Sequence, residues 1–221
     1  MARLQVDRLM DRIGGMLLPP RCVLCGAPGQ PPCLDLCREC ELELPLAEHC
    51  ASDDDGPLAR SFALYRHAAP VDDLVHALKY RGELAVGRVL GTLLGRHVAR
   101  LGFHVDVDRL VPVPLHPARL AARGYNQSVE LARWVTRETR QPLALRMVSR
   151  LRDTPPQVGL DGPARRRNLA SAFAASPSAR GLRIAIVDDV TTTGSTAGEL
   201  GRALRLAGAE RVEAWCLARA G

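Results

Sequence analysis

The residues best suited to chemistry lie in "RIAIVDDVTTTGSTAGEL", where apolar residues run into Asp188 and Asp189 and then into a loop of hydroxyls. Thr191, Thr192, Thr193, Ser195 and Thr196 surround Gly194, and backbone N–H groups beside such hydroxyls can wrap a phosphate. Glycine removes the side chain where the backbone must come closest. A helix starting near Thr196 would turn its N-terminal N–H groups and dipole to the same anion. The loop lacks G-K-[ST] and G-x-G-x-x-G, so it is neither a Walker loop nor a dinucleotide fingerprint. A flavin-phosphate loop of the T-x-T-G-x-T type is a rival, although such a loop normally follows a first strand. The two acids need separate work, because carboxylates repel phosphate. As pure acceptors they suit the paired O–H donors of a sugar diol; as hard oxygen ligands they also suit Mg²⁺. A sugar phosphate, with its ring over the acids and its phosphate in the loop, satisfies both halves.

The second chemical cluster is sulfur. Six of the seven cysteines fall between Cys22 and Cys50. "CVLC" (Cys22, Cys25) and "CREC" (Cys37, Cys40) are two C-x-x-C pairs separated by eleven residues. Each pair brings two thiolates to one ion from a tight knuckle, and four sulfurs complete a tetrahedral zinc shell with no open position, which makes the role structural. Cys33 and Cys50 are surplus, and either could replace one assigned ligand. Cys216 sits in an apolar segment and reads as core.

These groups must be held by elements that the pattern also suggests. "LRIAIVDD" reads as a buried strand, "TAGELGRALRLAGA" as a helix closed by Gly208, and "RVEAWCLARA" as the last strand. "DRLVPVPL" is a short strand ended by prolines, and "SVELARWVTRETR" an amphipathic helix. "VDDLVHALKYRGELAVGRVLGTLLGRHVARL" has helical spacing broken near Arg81 and Gly82, and "LALRMVSRL" suggests a strand. "RDTPPQVGLDGPARRRNLASAF" is turn-rich and basic, a mobile loop or hairpin. Strand–helix alternation with continuous apolar strands implies a parallel sheet covered by helices. Ligands of such sheets bind beyond the carboxyl ends of the strands, which is where the apolar run delivers Asp188 and Asp189.

Bulk composition bounds the partners. The net charge of +6 allows an anionic ligand, yet only 4% of residues are aromatic, which argues against a stacking platform for single-stranded nucleic acid. Among the 30 basic residues only Lys79 is lysine. The N-terminal "MARLQVDRLMDRIGGMLLPPRC" lacks the apolar core of a signal peptide and fits a short amphipathic helix. No stretch reaches transmembrane length. The expected setting is therefore cytoplasmic, without membrane insertion, where paired thiols favour metal over disulfides.

"IAIVDDVTTTGST" resembles the phosphoribosyl pyrophosphate (PRPP) signature of type I phosphoribosyltransferases. Together with "LPPRCVLCG", "HALKYRGE", "VPVPLHPARLAARGYNQS" and "RLRDTPPQVGLDGPARRRNLASAF", the chain is similar over most of its length to the ComF family. The resemblance implies an α/β fold, a type I phosphoribosyltransferase-like parallel sheet flanked by helices, with a small N-terminal zinc-ribbon-like unit. The clustered cysteines, the polar "ASDDDGPLAR" and the α/β pattern from Ser61 divide the chain into residues 1–50 (N-terminal helix and four-cysteine unit), a linker at 51–60, and the transferase-like domain at 61–221. Many relatives carry a second cysteine pair, where this chain has Cys50 nearly alone.

By that likeness Asp188 and Asp189 hold the ribose hydroxyls, while Thr191, Thr192, Thr193, Gly194, Ser195 and Thr196 hold the 5′-phosphate. Leu115, His116 and Arg119 belong to a pyrophosphate loop, and Arg123, Asn126 and Gln127 to the helix start behind it. Gln157, Arg165 and Asn168 fall in a lid that closes over PRPP, although a solvated turn is the rival for its arginines. Lys79 and Arg81 fit a helix-end or interface role as well as a phosphate contact. The implied chemistry is Mg²⁺-assisted binding of PRPP and transfer of its phosphoribosyl group to an unidentified acceptor, with zinc structural. A glutaminase is not implied, since Cys22 and Cys25 are occupied by the metal reading. Two alternatives stay open. One is a PRPP or nucleotide binder without turnover; the other is a module that handles single-stranded DNA during natural transformation beside a helicase-like partner.

Overall fold

Apolar runs set the strands, and their pairing brings distant segments to one edge. The computed structural model describes residues 19–31, 34–52, 56–152 and 172–221, with the side chains of 48–52 outside that description. The N-terminal helix, Cys33 and the lid residues Gln157, Arg165 and Asn168 lie outside the described residues.

The central sheet has five strands: β1 (Leu46–Ser52), β2 (Arg60–Arg66), β3 (Arg109–Pro112), β6 (Arg183–Thr191) and β7 (Arg211–Arg219). Their order is β1-β2-β7-β6-β3. Neighbours from β2 to β3 are parallel, and β1 runs antiparallel to β2 at the edge. The sheet therefore begins at Leu46, inside the segment expected to belong to the cysteine unit, and β1 ends and β2 starts within the expected linker, at Ser52 and Arg60. β6 and β7 are buried almost throughout, as strands covered on both faces must be.

The helical run breaks as expected. α2 (Val71–His76) passes into a π-helical turn, Ala77–Arg81, closed by Gly82 at φ 71°. α3 (Leu84–Arg100) follows. α4 (Pro117–Arg123) and α5 (Gln127–Thr139) come next, then α6 (Ser195–Leu206) after β6. A short helix, α1 (Arg38–Leu42), belongs to the cysteine unit. The strand expected from "LALRMVSRL" is only β4 (Val148–Arg150), which pairs with β5 (Phe173–Ala175) in a separate two-stranded sheet. Upstream, the Ala144 N–H bonds to the Leu110 carbonyl of β3 at 2.8 Å, so that part of the segment is spent on the edge of the large sheet.

α3 and α5 pack backbone to backbone. A Cβ on Gly91 would lie 2.6 Å from the Leu131 carbonyl oxygen, and one on Gly95 would lie 2.8 Å from the Glu138 Cβ. Leu131, Ala132 and Val135 of α5 and Val89, Leu90 and Leu94 of α3 are buried in the same core. The cysteine unit shares the same core through Leu34 and Leu36, and Asp35 is ion-paired with Arg88 of α3.

Candidate functional site

β6 delivers both acids to its carboxyl end, opposite Cys216 of β7. Neither is open to solvent: Asp188 is 7% and Asp189 4% exposed. α5 begins beside them, and its first two residues face them. The Ser128 hydroxyl donates to Asp188 Oδ1 at 3.2 Å, which also accepts the Asp189 N–H at 2.9 Å. Gln127 Nε2 donates to Asp189 Oδ1 at 3.5 Å. The other oxygen, Oδ2, is ion-paired with the ammonium of Lys79.

The three charges organise one another. Burial, with the neighbouring Asp189, pushes the Asp188 carboxyl well above the usual carboxylate range. Burial opposes ionisation of Asp189 too, but the Lys79 charge and hydrogen bond outweigh it and hold that carboxyl below its ordinary value. Burial likewise disfavours charged Lys79, and the Asp189 carboxylate reverses this and raises its pKa. The two carboxyls are thus pushed apart in acidity, and the Lys79 ammonium favours the charge on Asp189.

Lys79 reaches the acids because of the π-turn. The wider turn inserts a residue relative to an α-helix, a device frequent at functional sites. Tyr125 donates its hydroxyl to the Leu78 carbonyl and so ties the turn to the segment ahead of α5, while Leu78 is fully buried. Sequence reasoning left Lys79 undecided. The signal was its type, since a chain with 30 basic residues uses lysine once.

The loop expected to hold pyrophosphate starts next to the acids, because Pro112 of β3 pairs with Val187 of β6 and the Val113 N–H donates to the Val187 carbonyl at 3.0 Å. His116 caps α4 by accepting the Ala118 N–H at 3.3 Å. Arg119 joins Lys79, Tyr80, Arg123 and Tyr125 around a cleft of about 360 Å³. Leu115 lines a different cleft, of about 600 Å³, with Tyr125, Asn126 and Leu145. The helix-start residues divide their work. Asn126 caps α5 by accepting the Ser128 N–H at 2.9 Å and holds the Val113 carbonyl at 2.9 Å. Arg123 donates to the Gln127 side-chain oxygen and lies 5.4 Å from the Tyr80 ring centre. A polar relay therefore runs Arg123–Gln127–Asp189–Lys79.

Beyond the acids, Gly194 takes φ 73° and stands as N-cap of α6 with no side-chain cap hydrogen bond. That conformation strains any residue with a Cβ. The Thr193 and Ser195 hydroxyls bond to each other at 2.5 Å across it. The loop residues are only partly covered, with Thr193 exposed.

In the N-terminal unit the sulfurs of Cys22, Cys25, Cys37 and Cys40 all lie within 4.8 Å of one another, with Cys25 and Cys37 at 3.7 Å. A tetrahedral ion with sulfurs at about 2.3 Å spaces them about 3.8 Å apart, so the set fits a structural metal such as zinc. The thiols diverge in acidity: the neighbouring Cys37 thiol and burial push Cys40 up and Cys37 is raised as well, while thiolate is favoured at Cys22. Although burial opposes it, hydrogen bonds from the backbone of Cys37, Cys25 and Leu24 bring the Cys22 thiol down to about 6. Cys50 lies in β1, away from the knuckles in sequence.

A mostly parallel sheet, an acid pair and hydroxyl loop at the end of β6, and a four-cysteine unit ahead of the sheet make up the α/β arrangement that the phosphoribosyltransferase resemblance implies. Curated relatives give the family. The chain is 33% identical over 193 residues to competence protein F of Haemophilus influenzae, covering 83% of this chain and 84% of that protein. It is 34% identical over 209 residues to DNA utilization protein YhgH of Salmonella typhimurium, covering 90% and 83%, and 36% identical over 166 residues to YhgH of Escherichia coli K12, covering 74% and 73%. The chain belongs to the family of competence protein F and DNA utilization protein YhgH. No family model matches it. Among solved structures, an allosteric regulatory enzyme of purine biosynthesis aligns at TM-score 0.41 and 22% identity over 59% of this chain and 26% of its own. The B. subtilis glutamine PRPP amidotransferase aligns at TM-score 0.39 and 20% identity over 58% and 25%; the chain spans about a quarter of the length of these enzymes. No helix among the described residues is long and apolar enough to cross a membrane.

Proposed function

We propose that this chain binds PRPP at the carboxyl end of β6 and transfers its phosphoribosyl group to an acceptor in the service of DNA utilization. The observation that carries this reading is the adjacency, on one strand end, of an acid pair held by Lys79 and a hydroxyl loop that opens α6 without a side-chain cap. The 5′-phosphate takes Thr191 to Thr196 and the N–H groups of α6. The ribose hydroxyls meet Asp188 and Asp189. The diphosphate lies over the loop after β3, toward Arg119 and Arg123.

In the reaction the C1–O bond to the diphosphate breaks and its electron pair leaves with the diphosphate. Positive charge develops at C1, and a nitrogen lone pair attacks the opposite face, inverting that carbon. The chain contributes position and fixed charge: the loop anchors one end of the sugar, the acid pair fixes the ring, and arginines stabilise the leaving oxyanion. Gln157, Arg165 and Asn168 are the lid residues in this reading, which exclude water from the charged carbon. Zinc is the ion assigned to Cys22, Cys25, Cys37 and Cys40, with a closed shell and no part in the chemistry. The acid pair as arranged does not fit a directly bound Mg²⁺: Asp189 Oδ2 is ion-paired with Lys79 and its Oδ1 accepts Gln127, while Asp188 Oδ1 accepts both Ser128 and the Asp189 N–H. No step above uses that metal.

The relatives' names support a setting in DNA uptake, where single-stranded DNA and a helicase-like partner are the expected company. The test is pyrophosphate release from PRPP across a panel of purine, pyrimidine and pyridine acceptors. Release with one acceptor supports transfer. Calorimetric PRPP binding with no release across the panel would replace transfer by a sensing role. Salt-dependent binding of single-stranded DNA without PRPP binding would replace both.

A further inference from the structure

We infer that Lys79 is the resident cation of the ribose clamp, so that a ribose phosphate binds the acid pair without a divalent metal there. This rests on the ribose-phosphate reading above. Three observations carry it. The Lys79 ammonium is ion-paired with Asp189 Oδ2, on a carboxylate whose other oxygen already accepts Gln127. The lysine is placed by construction, through a π-turn closed by Gly82 and tied down by Tyr125 at Leu78. Lys79 also lines the cleft that holds Arg119 and Arg123, so one side chain touches both the acid pair and the cleft of the arginines expected at the diphosphate.

That position answers an electrostatic difficulty. An anionic sugar phosphate meets repulsion from buried carboxylates unless a cation lies beside them, and a divalent ion is the usual solution for oxygen-rich sites. Here a side chain supplies the charge in fixed geometry. Its compact point charge suits a buried carboxylate partner, whereas every other basic residue of the chain is an arginine. A guanidinium is a wider fork and does not substitute simply for a compact ammonium. Removing Lys79 leaves Asp189 buried without its charge partner, a costly state that an added divalent ion can relieve.

The experiment uses ribose 5-phosphate, which has no diphosphate to carry a metal of its own, titrated calorimetrically into the full zinc-loaded chain. Wild type should bind equally with Mg²⁺ and with EDTA at concentrations that spare the zinc. Lys79→Gln should bind about tenfold or more weakly without Mg²⁺ and recover with it. Lys79→Gln combined with Asp189→Asn, which removes the uncompensated charge, should lose the Mg²⁺ response. Near-ultraviolet dichroism of Trp134 and Trp215 and zinc content check that the variants are folded. A wild type that needs Mg²⁺ to bind ribose 5-phosphate overturns the inference by itself, whatever the variants do. So does a Lys79→Gln variant that binds like wild type in EDTA. Failure of wild type to bind ribose 5-phosphate or PRPP in any condition overturns the underlying reading and the inference with it.

Discussion

Replacing Gly91 by alanine should destabilise the protein, while the same change at Gly87, one helical turn earlier, should not. Both glycines lie inside α3, where alanine gains about 1 kcal/mol of helix propensity. At Gly91 the new Cβ would stand 2.6 Å from the Leu131 carbonyl oxygen, 2.8 Å from the Trp134 Cβ and 3.1 Å from the Leu131 Cα. Ordinary contact begins near 3.4 Å, so α5 must retreat by 3.4 − 2.6 = 0.8 Å at this point. The clashing carbonyl and Cα belong to backbone and cannot rotate away. Overpacking of this kind costs about 1–3 kcal/mol, and the backbone clash places Gly91→Ala near the upper end, for a net loss of about 1–2 kcal/mol after the propensity gain. At Gly87 the nearest atom is the Leu78 Cδ1 at 3.1 Å, the end of a flexible side chain, so the propensity gain should survive. With zinc kept saturating, thermal unfolding followed by circular dichroism should show Gly91→Ala lower by roughly 2–8 °C at about 2–4 °C per kcal/mol. Gly87→Ala should match wild type or exceed it. Because α5 begins with Gln127 and Ser128, Gly91→Ala should also weaken binding at the acid pair. A Gly91→Ala protein as stable as Gly87→Ala would refute the close-packed seam.

Three further outcomes follow from other parts of the molecule. Cys37→Ser should abolish the bound metal, seen as loss of about one zinc per chain by elemental analysis, and lower the unfolding temperature, because ion binding here is folding energy. Asn126→Ala removes the cap on α5 and the donor to Val113; it should cost about 1–2 kcal/mol in urea unfolding. Asp108 accepts the Arg183 backbone N–H at 2.9 Å and its guanidinium at 3.0 Å, and these bonds hold its carboxyl below the usual value. A depressed carboxylate contributes stability above its unfolded pKa of about 3.9 and loses it as the pH falls through the lower folded value. Asp108→Asn should therefore be less stable than wild type at neutral pH and show a flatter decline below pH ~4.

Much of this was legible in the chain because the carrying signals are local. "RIAIVDDVT" and "RVEAWCLAR" are apolar enough that only a buried strand suits them, and Gly82 and Gly194 stand where positive φ is needed. The cysteine knuckles are local too, each pair closing within four residues. What escaped was set by tertiary pairing. "LAEHCAS" has no strand alternation and becomes β1 only because β2 offers an edge. The segment before β4 was read as one strand, yet Ala144 is taken by β3 and only Val148–Arg150 finds β5. The capping of α5 by Asn126 and its hold on the Val113 carbonyl likewise needed the fold to be seen. Lys79 lies 110 positions before Asp189, and no spacing rule joins residues so far apart. Ser128, which bonds Asp188, was quoted only as part of a motif; a hydroxyl at the second residue of a helix gives no warning that an acid will face it.

The most direct measurement is the preference for ribose 5-phosphate over 2-deoxyribose 5-phosphate, read calorimetrically in wild type and in Asp188→Asn/Asp189→Asn. Hydrogen bonds to an ionised carboxylate are worth about 1.5–3 kcal/mol. Wild type should therefore bind the ribose form roughly tenfold or more tightly, and the double variant should bind both sugars alike through the hydroxyl loop. Equal affinity of wild type for the two sugars, or no binding of either, would contradict the reading of Asp188 and Asp189 as the ribose clamp.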